Sequence, residues 1–563
     1  MDPRTDLGRH GADCASSAPA LPEPVGTADL ARQGCSRRWL AVAFLAPLLV
    51  YLALIPRFLA YSSPPTGDQP YYLLMTASLV QDGDLDLRNN YERRDYGKFY
   101  ERAPRPPGYV GMEAPDPLFP FRAHTVRPPE EWYDHRSPGL AAVLVPAWVV
   151  GSWLDLWWPA TVVFMCFVGA LVCLNVFLLA YEISGRLWAA LAVWAPLAFT
   201  NPIMSYSYLL FTELPTALLV VYAFRRLALG WAANGRLRLA LVGASIGGIP
   251  WLAWRTLPIA LALLAYAVVQ WARAARISGR VRWPTYVLAP IAVEAAALGW
   301  YNDFLFGNPA VGGTQRAMFR PPLVWPWQGV EELRAFVRHA FGLAFDRQMG
   351  LLTHAPLYLF AVVGIVAMLR LGRPFERRLI GWLALLTVPY MTVVASFGAW
   401  NGVWNPPGRY QTVLVPLAAA PIAFALVAWR DWLVKALYAL LVLPSLVVMA
   451  FRLDDARLMW PAYSVWERIA GSLGGLDVRG WLPAFSPLEK ATFARDIASL
   501  TAISLGIVIL CFLLRDPVWA QGDRAPKTLR ADVRRYLLAA GAVVVVGLAW
   551  LFIVRHVRDG SAS

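Results

Sequence analysis

Two carboxylates and two arginines occupy positions where a membrane protein could perform chemistry on an anionic substrate. Asp68 lies just after the first apolar segment, and Glu213 lies among apolar residues. A carboxylate can act as a general base or bind a metal ion. Arg255 and Arg409 carry a permanent charge and can bind a phosphate through two N–H groups. These residue types predict a site that combines a base with cations able to hold a phosphate.

Each of these residues also has a structural explanation. Asp68 stands ahead of Pro70, an arrangement that is typical of a helix N-cap. Glu213 could form a structural ion pair, because an ionisable group among apolar neighbours needs a partner or a wet cavity. Arg255 and Arg409 could extend to the lipid headgroups, as arginines at the ends of membrane spans commonly do. The sequence leaves both interpretations open.

Apolar segments determine the class of the protein. The chain is 58% hydrophobic, and about 20 apolar residues suffice for a helix to cross the ~30 Å hydrocarbon core. The predicted spans are 40–60, 159–181, 187–204, 209–227, 239–253, 256–272, 284–303, 354–370, 379–397, 409–428, 432–451, 496–514 and 536–555. The sequence therefore predicts an all-α integral membrane protein with about 13 transmembrane helices.

The charges between the spans predict the orientation of the chain. Segments 182–186, 225–238, 273–283, 370–378, 429–435 and 515–535 together hold 21 Lys/Arg and 6 Asp/Glu, whereas 61–138 holds 9 Lys/Arg and 12 Asp/Glu. Because Lys and Arg are retained in the cytoplasm, we expect a cytoplasmic N-terminus, a plasma (inner) membrane location and an extracytoplasmic active site. A further apolar run, 139–157, would break this rule by crossing, so we interpret it as an interfacial or re-entrant helix.

The spans and loops predict a domain organisation. It comprises a disordered cytoplasmic tail (1–38), an N-terminal catalytic transmembrane module (39–303) with a long extracytoplasmic loop (61–158), a second such loop (304–353) and a C-terminal transmembrane module (354–563). Residues 70–81 predict an amphipathic helix at the membrane surface, beside Asp68. The net charge of +14 lies mainly in the cytoplasmic loops, facing anionic headgroups, so membrane lipids and no nucleic acid are the predicted partners.

Six short motifs follow one another along most of the chain. They are Gly67-Asp68-Gln69-Pro70-Tyr71-Tyr72, His135-Arg136-Ser137-Pro138-Gly139, Phe211-Thr212-Glu213, Tyr301-Asn302 with Phe306-Gly307-Asn308-Pro309, Gly350-Leu351-Leu352 before Pro356, and Pro406-Pro407-Gly408-Arg409-Tyr410. In this order they resemble motifs of the glycosyltransferase C superfamily of polytopic membrane enzymes. The likeness is nearest to the family of the protein O-mannosyltransferases and the lipid A aminoarabinose transferase.

The resemblance implies a glycosyltransferase that moves a sugar from a polyprenyl-phosphate donor to a glycan, lipid or protein acceptor, with inversion at the anomeric carbon. Asp68 would then be the base, and Arg255 and Arg409 would stabilise the departing phosphate. Glu213 would orient the acceptor, or hold a divalent metal ion such as Mg²⁺ or Mn²⁺ together with Asp68. Further candidates for substrate binding are Tyr71, Tyr72, His135, Asn302, Asp303, His354 and Tyr410.

Two other classes of function stay open at the level of sequence. A transporter or flippase of lipid-linked sugars would share the membrane architecture, although such proteins tend to show inverted repeats and polar residues near the bilayer midplane. A non-catalytic scaffold of the same fold is the second alternative. Many relatives carry two adjacent acids in the first loop, whereas Gln69 follows Asp68 in this chain.

Overall fold

The protein is described here by a computed structural model. It covers residues 37–62, 65, 67–100, 118–278, 284–310, 325–402, 405–429, 432–461, 463–475 and 482–485. Within these ranges the chain is helical and forms no strand, apart from one antiparallel bridge between Arg122 and Asp134. The all-α prediction is thus confirmed. The spans predicted over 496–514 and 536–555, the basic segment 515–535 and nearly all of the predicted tail lie outside the described residues.

Helices alternate with short turns through the first half of the chain. They are α1 (Arg37–Ser62), α2 (Gln69–Gln81), α3 (Arg88–Glu92), α4 (Gly97–Tyr100), α5 (Gly139–Leu154), α6 (Trp157–Ser184), α7 (Leu187–Ala198), α8 (Ile203–Tyr206), α9 (Glu213–Ala228), α10 (Arg236–Leu252), α11 (Leu257–Ser278) and α12 (Thr285–Phe306). Glycines in the left-handed region end two of the long ones: Gly185 follows α6 and Gly307 follows α12.

The second half continues the pattern with more interruptions. Its helices are α13 (Val330–Phe345), α14 (Leu351–His354), α15 (Leu359–Leu371), α16 (Pro374–Ala395), α17 (Ala419–Ala428), α18 (Trp432–Asp454) and α19 (Val465–Ser472). Short 3-10 turns cover Trp231–Ala233, Trp254–Thr256, Pro356–Tyr358, Tyr410–Val413, Val415–Ala418 and Ala456–Met459. The span predicted over 409–428 is therefore two 3-10 turns followed by the ten-residue α17.

Five stretches of described helix are long and apolar enough to cross a membrane. They are Arg37–Leu59, Trp157–Ser184, Trp254–Arg276, Pro374–Ala395 and Trp432–Asp454. Several other predicted spans form shorter helices. The 12 residues of α7, for example, extend about 18 Å, which is less than the hydrocarbon thickness. The number of thirteen spans and their orientation stay predictions.

The helix that follows Asp68 lies inside the protein rather than on its surface. All ten residues from Gln69 to Ser78 of α2 are buried, so both faces of the helix are covered. The prediction of an amphipathic helix lying on the membrane surface is therefore wrong for this stretch. Its polar residues are few, and one of them, Thr76, donates its hydroxyl hydrogen to the carbonyl of Tyr72 within the helix. Such a helix can fix the position of the residue before it.

The hairpin of α5 and α6 covers one side of α2. The two helices are joined at Asp155, whose left-handed backbone (φ 59°) turns the chain back on itself. Helix α5 packs against both α2 and α6. Its 16 residues extend about 24 Å, and the prediction that it does not cross the membrane stays a prediction.

Helices α9, α10 and α12 pack together and position two of the predicted site residues, Glu213 and Arg255. The contact between α10 and α12 depends on small residues: a Cβ atom on Gly247 would lie only 2.7 Å from Cβ of Glu294. Helix α9 packs against α10 and α6, and its first residue is Glu213. The turn after α10 carries Arg255 back towards the start of α9.

Candidate active site

Six charged side chains from five separate segments form one continuous chain of ion pairs, which we call the charge cluster. In spatial order they are Asp134, Arg136, Asp68, Arg409, Glu213 and Arg255, so that carboxylate and guanidinium alternate. Three negative and three positive charges balance, which lowers the cost of removing them from water. The four residues singled out by their chemistry in the sequence thus lie together.

Arg409 is the central member because it joins the two candidate catalytic carboxylates. Its Nη2 donates to Oδ2 of Asp68 at 2.6 Å, and its Nε donates to Oε1 of Glu213 at 2.9 Å. Its third nitrogen, Nη1, donates to the carbonyl oxygen of Gly402 at 3.3 Å. The planar guanidinium therefore spans the gap between the carboxylates, a geometry that the point charge of a lysine could not reproduce.

Asp68 is held by two arginines and does not cap the helix that follows it. Its side chain accepts no hydrogen bond from the backbone of α2. Instead Oδ1 accepts from Nε of Arg136 at 2.8 Å, while Oδ2 accepts from Arg409. The side chain keeps 26% of its surface exposed, against 1% for Glu213. Asp68 is thus the one of the two carboxylates that a substrate could reach.

The electrostatic environment of Asp68 stabilises its ionised form. Burial raises the pKa of the Asp68 carboxyl, but Arg136 and Arg409 more than offset this effect and hold the pKa well below its usual range. In this arrangement the carboxylate is a weak base. It becomes a stronger base only when one of the guanidiniums moves away.

Glu213 is buried at the start of α9 and shared by two arginines. Its Oε1 accepts from Nη2 of Arg255 at 2.6 Å and from Nε of Arg409 at 2.9 Å. Its Oε2 has only a long contact, 3.5 Å, with the hydroxyl of Thr212. The ion pair predicted as an alternative role for Glu213 is present. It belongs to the same cluster as Asp68, so Glu213 can form a structural ion pair and also take part in the candidate active site.

The turn that carries Arg409 is held in place by buried hydrogen bonds. Nδ2 of Asn201 donates to the carbonyl of Pro407 at 2.8 Å, and the hydroxyl of Tyr206 donates to the carbonyl of Pro406 at 2.7 Å. Gly408 adopts φ +76°, in the region that favours glycine, with Leu351 close by. These contacts fix Arg409, so it is not an arginine extending freely towards the headgroups.

Aromatic rings line the guanidiniums of the cluster. Cζ of Arg136 lies 4.0 Å from the centroid of the Tyr71 ring, and Cζ of Arg409 lies 4.4 Å from that of Phe211. The ring of Tyr410 lies against Arg255 and Arg409, at 4.9 and 5.6 Å from their Cζ atoms. Such faces stabilise cations while excluding water. Tyr72 is buried in the adjacent turn of α2, where burial raises its pKa.

Gln69, which directly follows Asp68, has a structural role. Its side chain is fully buried, and Oε1 accepts from the backbone N–H of Leu210 at 3.2 Å. This bond ties the start of α2 to the segment that leads into Glu213. A glutamine can make this contact without bringing another charge into the cluster.

The donor set does not fit a divalent metal ion between the two carboxylates. Arg409 occupies the space between Asp68 and Glu213, and each carboxylate also contacts a second arginine. A metal ion there would face three guanidiniums and only two acidic ligands. Within the described ranges, no group of three His, Cys, Asp or Glu side chains could hold a metal ion. We therefore derive no chemical step through a metal.

Arg136 and Asp134 are members of the cluster that the sequence did not single out. Nη1 of Arg136 donates to both carboxylate oxygens of Asp134 at 3.1 Å. One signal was available, because Arg136 is a cation on the face predicted to be outside, directly beside a candidate histidine. His135 itself lies next to the cluster: its ring packs edge-on against Phe121, and burial and Arg136 lower its pKa.

Three predicted site residues lie away from the charge cluster. Asn302 is buried near the end of α12, and its Nδ2 has no hydrogen-bond partner. Asp303 is exposed at the same helix end. His354 is buried in a separate pocket, where it contacts Arg452. None of the three side chains contacts a member of the cluster.

An apolar groove of about 300 Å³ begins beside the turn that carries Arg409. It runs between α13, α15, α16 and the segment 411–421, and its lining is almost entirely aliphatic. Two of its lining residues adjoin the cluster: Gln411 lies two positions after Arg409, and Leu351 lies against Gly408. The groove thus brings an apolar surface close to a group of buried guanidiniums.

The chain matches no protein-family model, no curated protein and no solved structure. A function for the chain is therefore supported by the geometry of the charge cluster and its groove, together with the motif resemblance.

Proposed function

We propose that the protein is a membrane glycosyltransferase that transfers a sugar from a polyprenyl-phosphate donor to a hydroxyl group of an acceptor on the extracytoplasmic face. The observation that carries the proposal is the apolar groove beside the turn of Arg409, whose guanidinium is shared between two carboxylates. A polyprenyl phosphate has the same two parts, an apolar chain and an anionic head. The groove accommodates the first, and the arginines bind the second.

Binding of the donor exchanges partners within the cluster. The phosphate competes with Asp68 and Glu213 for Arg409 and Arg255, because all three anions accept charge-assisted hydrogen bonds from the same N–H groups. Since the cluster is neutral before binding, the entering anion displaces a carboxylate rather than filling an empty site. The more exposed carboxylate, Asp68, is the one that gives up its contact.

This exchange prepares Asp68 to act as the base. When Arg409 turns towards the phosphate, Asp68 loses one of the two cations that lower its pKa, so the pKa rises towards its ordinary value. The acceptor hydroxyl then attacks the anomeric carbon, and its proton passes to Asp68. The bond from that carbon to the phosphate oxygen breaks, and polyprenyl phosphate leaves with the electron pair, stabilised by Arg409 and Arg255. The configuration inverts.

Glu213 keeps the arginines in position during this step. It is buried at the rigid start of α9 and contacts both Arg255 and Arg409 through a single oxygen. Its second oxygen lies near the hydroxyl of Thr212, away from solvent. Glu213 is therefore a positioning residue, and its carboxylate does not take the proton.

The test is release of polyprenyl phosphate from a labelled polyprenyl-phosphate sugar by the reconstituted protein, with crude cell envelope as acceptor. Mass spectrometry of the lipid that copurifies with the protein guides the choice of donor. Arg409→Lys should lose most of the activity, because a lysine cannot contact two anions in the plane of a fork. The matched control is Arg373→Lys, which makes the same change in the ion pair with Glu376.

Three results would contradict the proposal. Full activity of Arg409→Lys would show that the guanidinium of Arg409 is not needed to bind the phosphate. An equal loss in the Arg373→Lys control would attribute the effect to folding. Movement of the sugar lipid across the bilayer without glycosidic cleavage would identify a transporter.

A further inference from the structure

Arg452 is buried near the end of α18, and no carboxylate of the described residues pairs with it. Its side chain is 1% exposed. Nε donates to the carbonyl of Leu458 at 3.2 Å, and Nη2 lies 2.9 Å from Nδ1 of His354. The remaining nitrogen, Nη1, is buried and has no hydrogen-bond partner. One face of this guanidinium is therefore unsatisfied.

The other fully buried arginines of the described ranges differ from Arg452 in this respect. Arg136 contacts Asp134 at 3.1 Å, and Arg225 contacts Glu182 at 2.7 Å. A buried guanidinium that lacks an anion costs several kcal/mol. Arg452 does not avoid this cost by reaching towards headgroups or water, because its side chain is enclosed. An anion in contact with Nη1 would satisfy both the charge and the hydrogen bond.

A small pocket adjoins this guanidinium. It holds about 20 Å³ of cavity space, is partly open to the outside, and is lined by Arg347, Gln348, His354, Arg452, Trp460 and Trp466 among others. No Asp or Glu stands among its lining residues within the part of the chain that the structure describes. The pocket therefore presents two arginines and no acid.

His354 supports a positive pocket rather than supplying the missing anion. Its Nδ1 accepts from Nη2 of Arg452, so its Nε2 carries the hydrogen and donates to the carbonyl of Gln348 at 3.0 Å. Because Nδ1 accepts a hydrogen bond, the ring is neutral. Both ring nitrogens are thus occupied in orienting the guanidinium, with the Trp466 ring 5.2 Å away.

The position of the pocket points to a phosphate. Arg452 stands two residues before the end of Trp432–Asp454, one of the stretches long enough to span a membrane. Span ends lie at the level of the lipid phosphates. Aromatic residues with an arginine are typical of this level. The pocket also includes Pro407, so it backs onto the turn that carries Arg409 without being part of the charge cluster.

We propose that the pocket around Arg452 binds a phosphate group, which Nη1 contacts directly. The phosphate belongs either to a phospholipid headgroup or to a small soluble phosphate, and both present the same oxygen atoms. The site is separate from the charge cluster, and it does not depend on glycosyl transfer.

The first experiment measures binding of inorganic phosphate to the purified protein in detergent by calorimetry, at constant ionic strength. Arg452→Gln should weaken binding at least tenfold, because the amide has no charge. Arg57→Gln is the matched control: Arg57 is a half-exposed arginine at the end of α1 that pairs with Asp454, two residues from Arg452. The control should bind phosphate as the wild type does, and chloride should not compete.

The second experiment tests the lipid as the source. The protein is placed in discs of phosphatidylcholine with or without phosphatidylglycerol, and bound lipid is measured by native mass spectrometry. Retention of phosphatidylglycerol by the wild type and by Arg57→Gln, and its loss in Arg452→Gln, identifies a headgroup site. Binding of inorganic phosphate alone identifies a soluble ligand.

The proposal is overturned if neither phosphate binds, or if Arg452→Gln binds as tightly as the wild type. If Arg452→Gln does not fold, Arg452→Lys replaces it, because it keeps the charge but cannot contact His354 and the anion together. Wild-type affinity in Arg452→Lys would equally overturn the proposal.

Discussion

The two ends of α9 carry buried ion pairs of different construction. Glu213 at its start belongs to the charge cluster, whereas Arg225, twelve residues and about 18 Å further on, pairs with Glu182 of α6. Arg225 also donates to Oδ1 of Asn175 at 3.1 Å, and both members of this pair are at most 4% exposed. The pair is closed: one acid meets one base. The cluster instead shares its arginines between acids and keeps Asp68 partly exposed.

This difference distinguishes an ion pair that holds the fold from one that can accept a ligand. A closed pair offers no donor to an incoming anion, and opening it leaves a buried charge. In the cluster, Arg136 and Arg409 each contact two acids, so the proposed phosphate would enter by exchange. The following changes test that distinction.

The largest expected effect is all-or-none and concerns the side of the membrane on which each end of α9 lies. The topology prediction places the cluster outside and the Glu182–Arg225 pair at the cytoplasmic end. In a variant without native cysteines, we expect an impermeant thiol reagent to label Glu130→Cys on intact cells. Ala233→Cys should be labelled only after lysis. Both positions are exposed. Labelling of both from one side would contradict the topology.

Next in size is the loss of stability on opening the closed pair. Arg225→Gln leaves the buried Glu182 without its cation, which should destabilise the protein by about 3–5 kcal/mol. Unfolding in mixed micelles measures the change, and sugar transfer per folded molecule should stay at the wild-type level. Arg226→Gln is the control, because this half-buried neighbour contacts no carboxylate. Equal stability of both variants would show that the pair contributes nothing.

Asp68→Asn should have the opposite effects on the protein: a large loss of activity with a small loss of stability. The amide fits the same space but accepts no proton, so release of polyprenyl phosphate should fall by on the order of 10²-fold or more. Stability at neutral pH should change less than in Arg225→Gln, since Asp68 is partly exposed. The control is Asp454→Asn, an exposed carboxylate in surface ion pairs. Unchanged release by Asp68→Asn would assign the proton transfer to another group.

Glu213→Gln should produce the smallest change in activity. The amide oxygen still accepts from Arg255 and Arg409, though without the charge that strengthens these bonds. We expect release to fall about 10-fold, which is about 1.4 kcal/mol. A loss as large as that of Asp68→Asn would make Glu213 a candidate for the base, and the roles of the two carboxylates would be reversed.

Residue chemistry predicted the members of the site better than sequence position predicted their contacts. Asp68, Glu213, Arg255 and Arg409 stood out because charged residues are rare beside apolar segments, and the structure brings them together. Their pairing was not predictable, since up to 341 residues separate the partners. For the same reason the contact of Arg136 with Asp68 was not predicted, although Arg136 belongs to one of the six motifs.

For the fold as well, the sequence predicted local features better than those that depend on contacts with distant segments. Hydrophobic runs of 20 residues or more correctly predicted long helices such as α6 and α18. Periodicity failed for α2, because a pattern of polar and apolar residues does not reveal that other segments cover both faces. It also failed around residues 409–418, where tertiary contacts hold the chain in short 3-10 turns.

The order in which the cluster residues are synthesised has a consequence for assembly. Asp68 meets Arg136 after 68 residues, and Glu213 meets Arg255 after 42, so each acid acquires an arginine from its own part of the chain. Arg409 emerges from the ribosome much later and then joins the two pairs. A nascent chain that stops before Arg409 already pairs Asp68 and Glu213 with one arginine each, but Asp134 shares Arg136 with Asp68. The cluster therefore keeps one excess negative charge until Arg409 arrives.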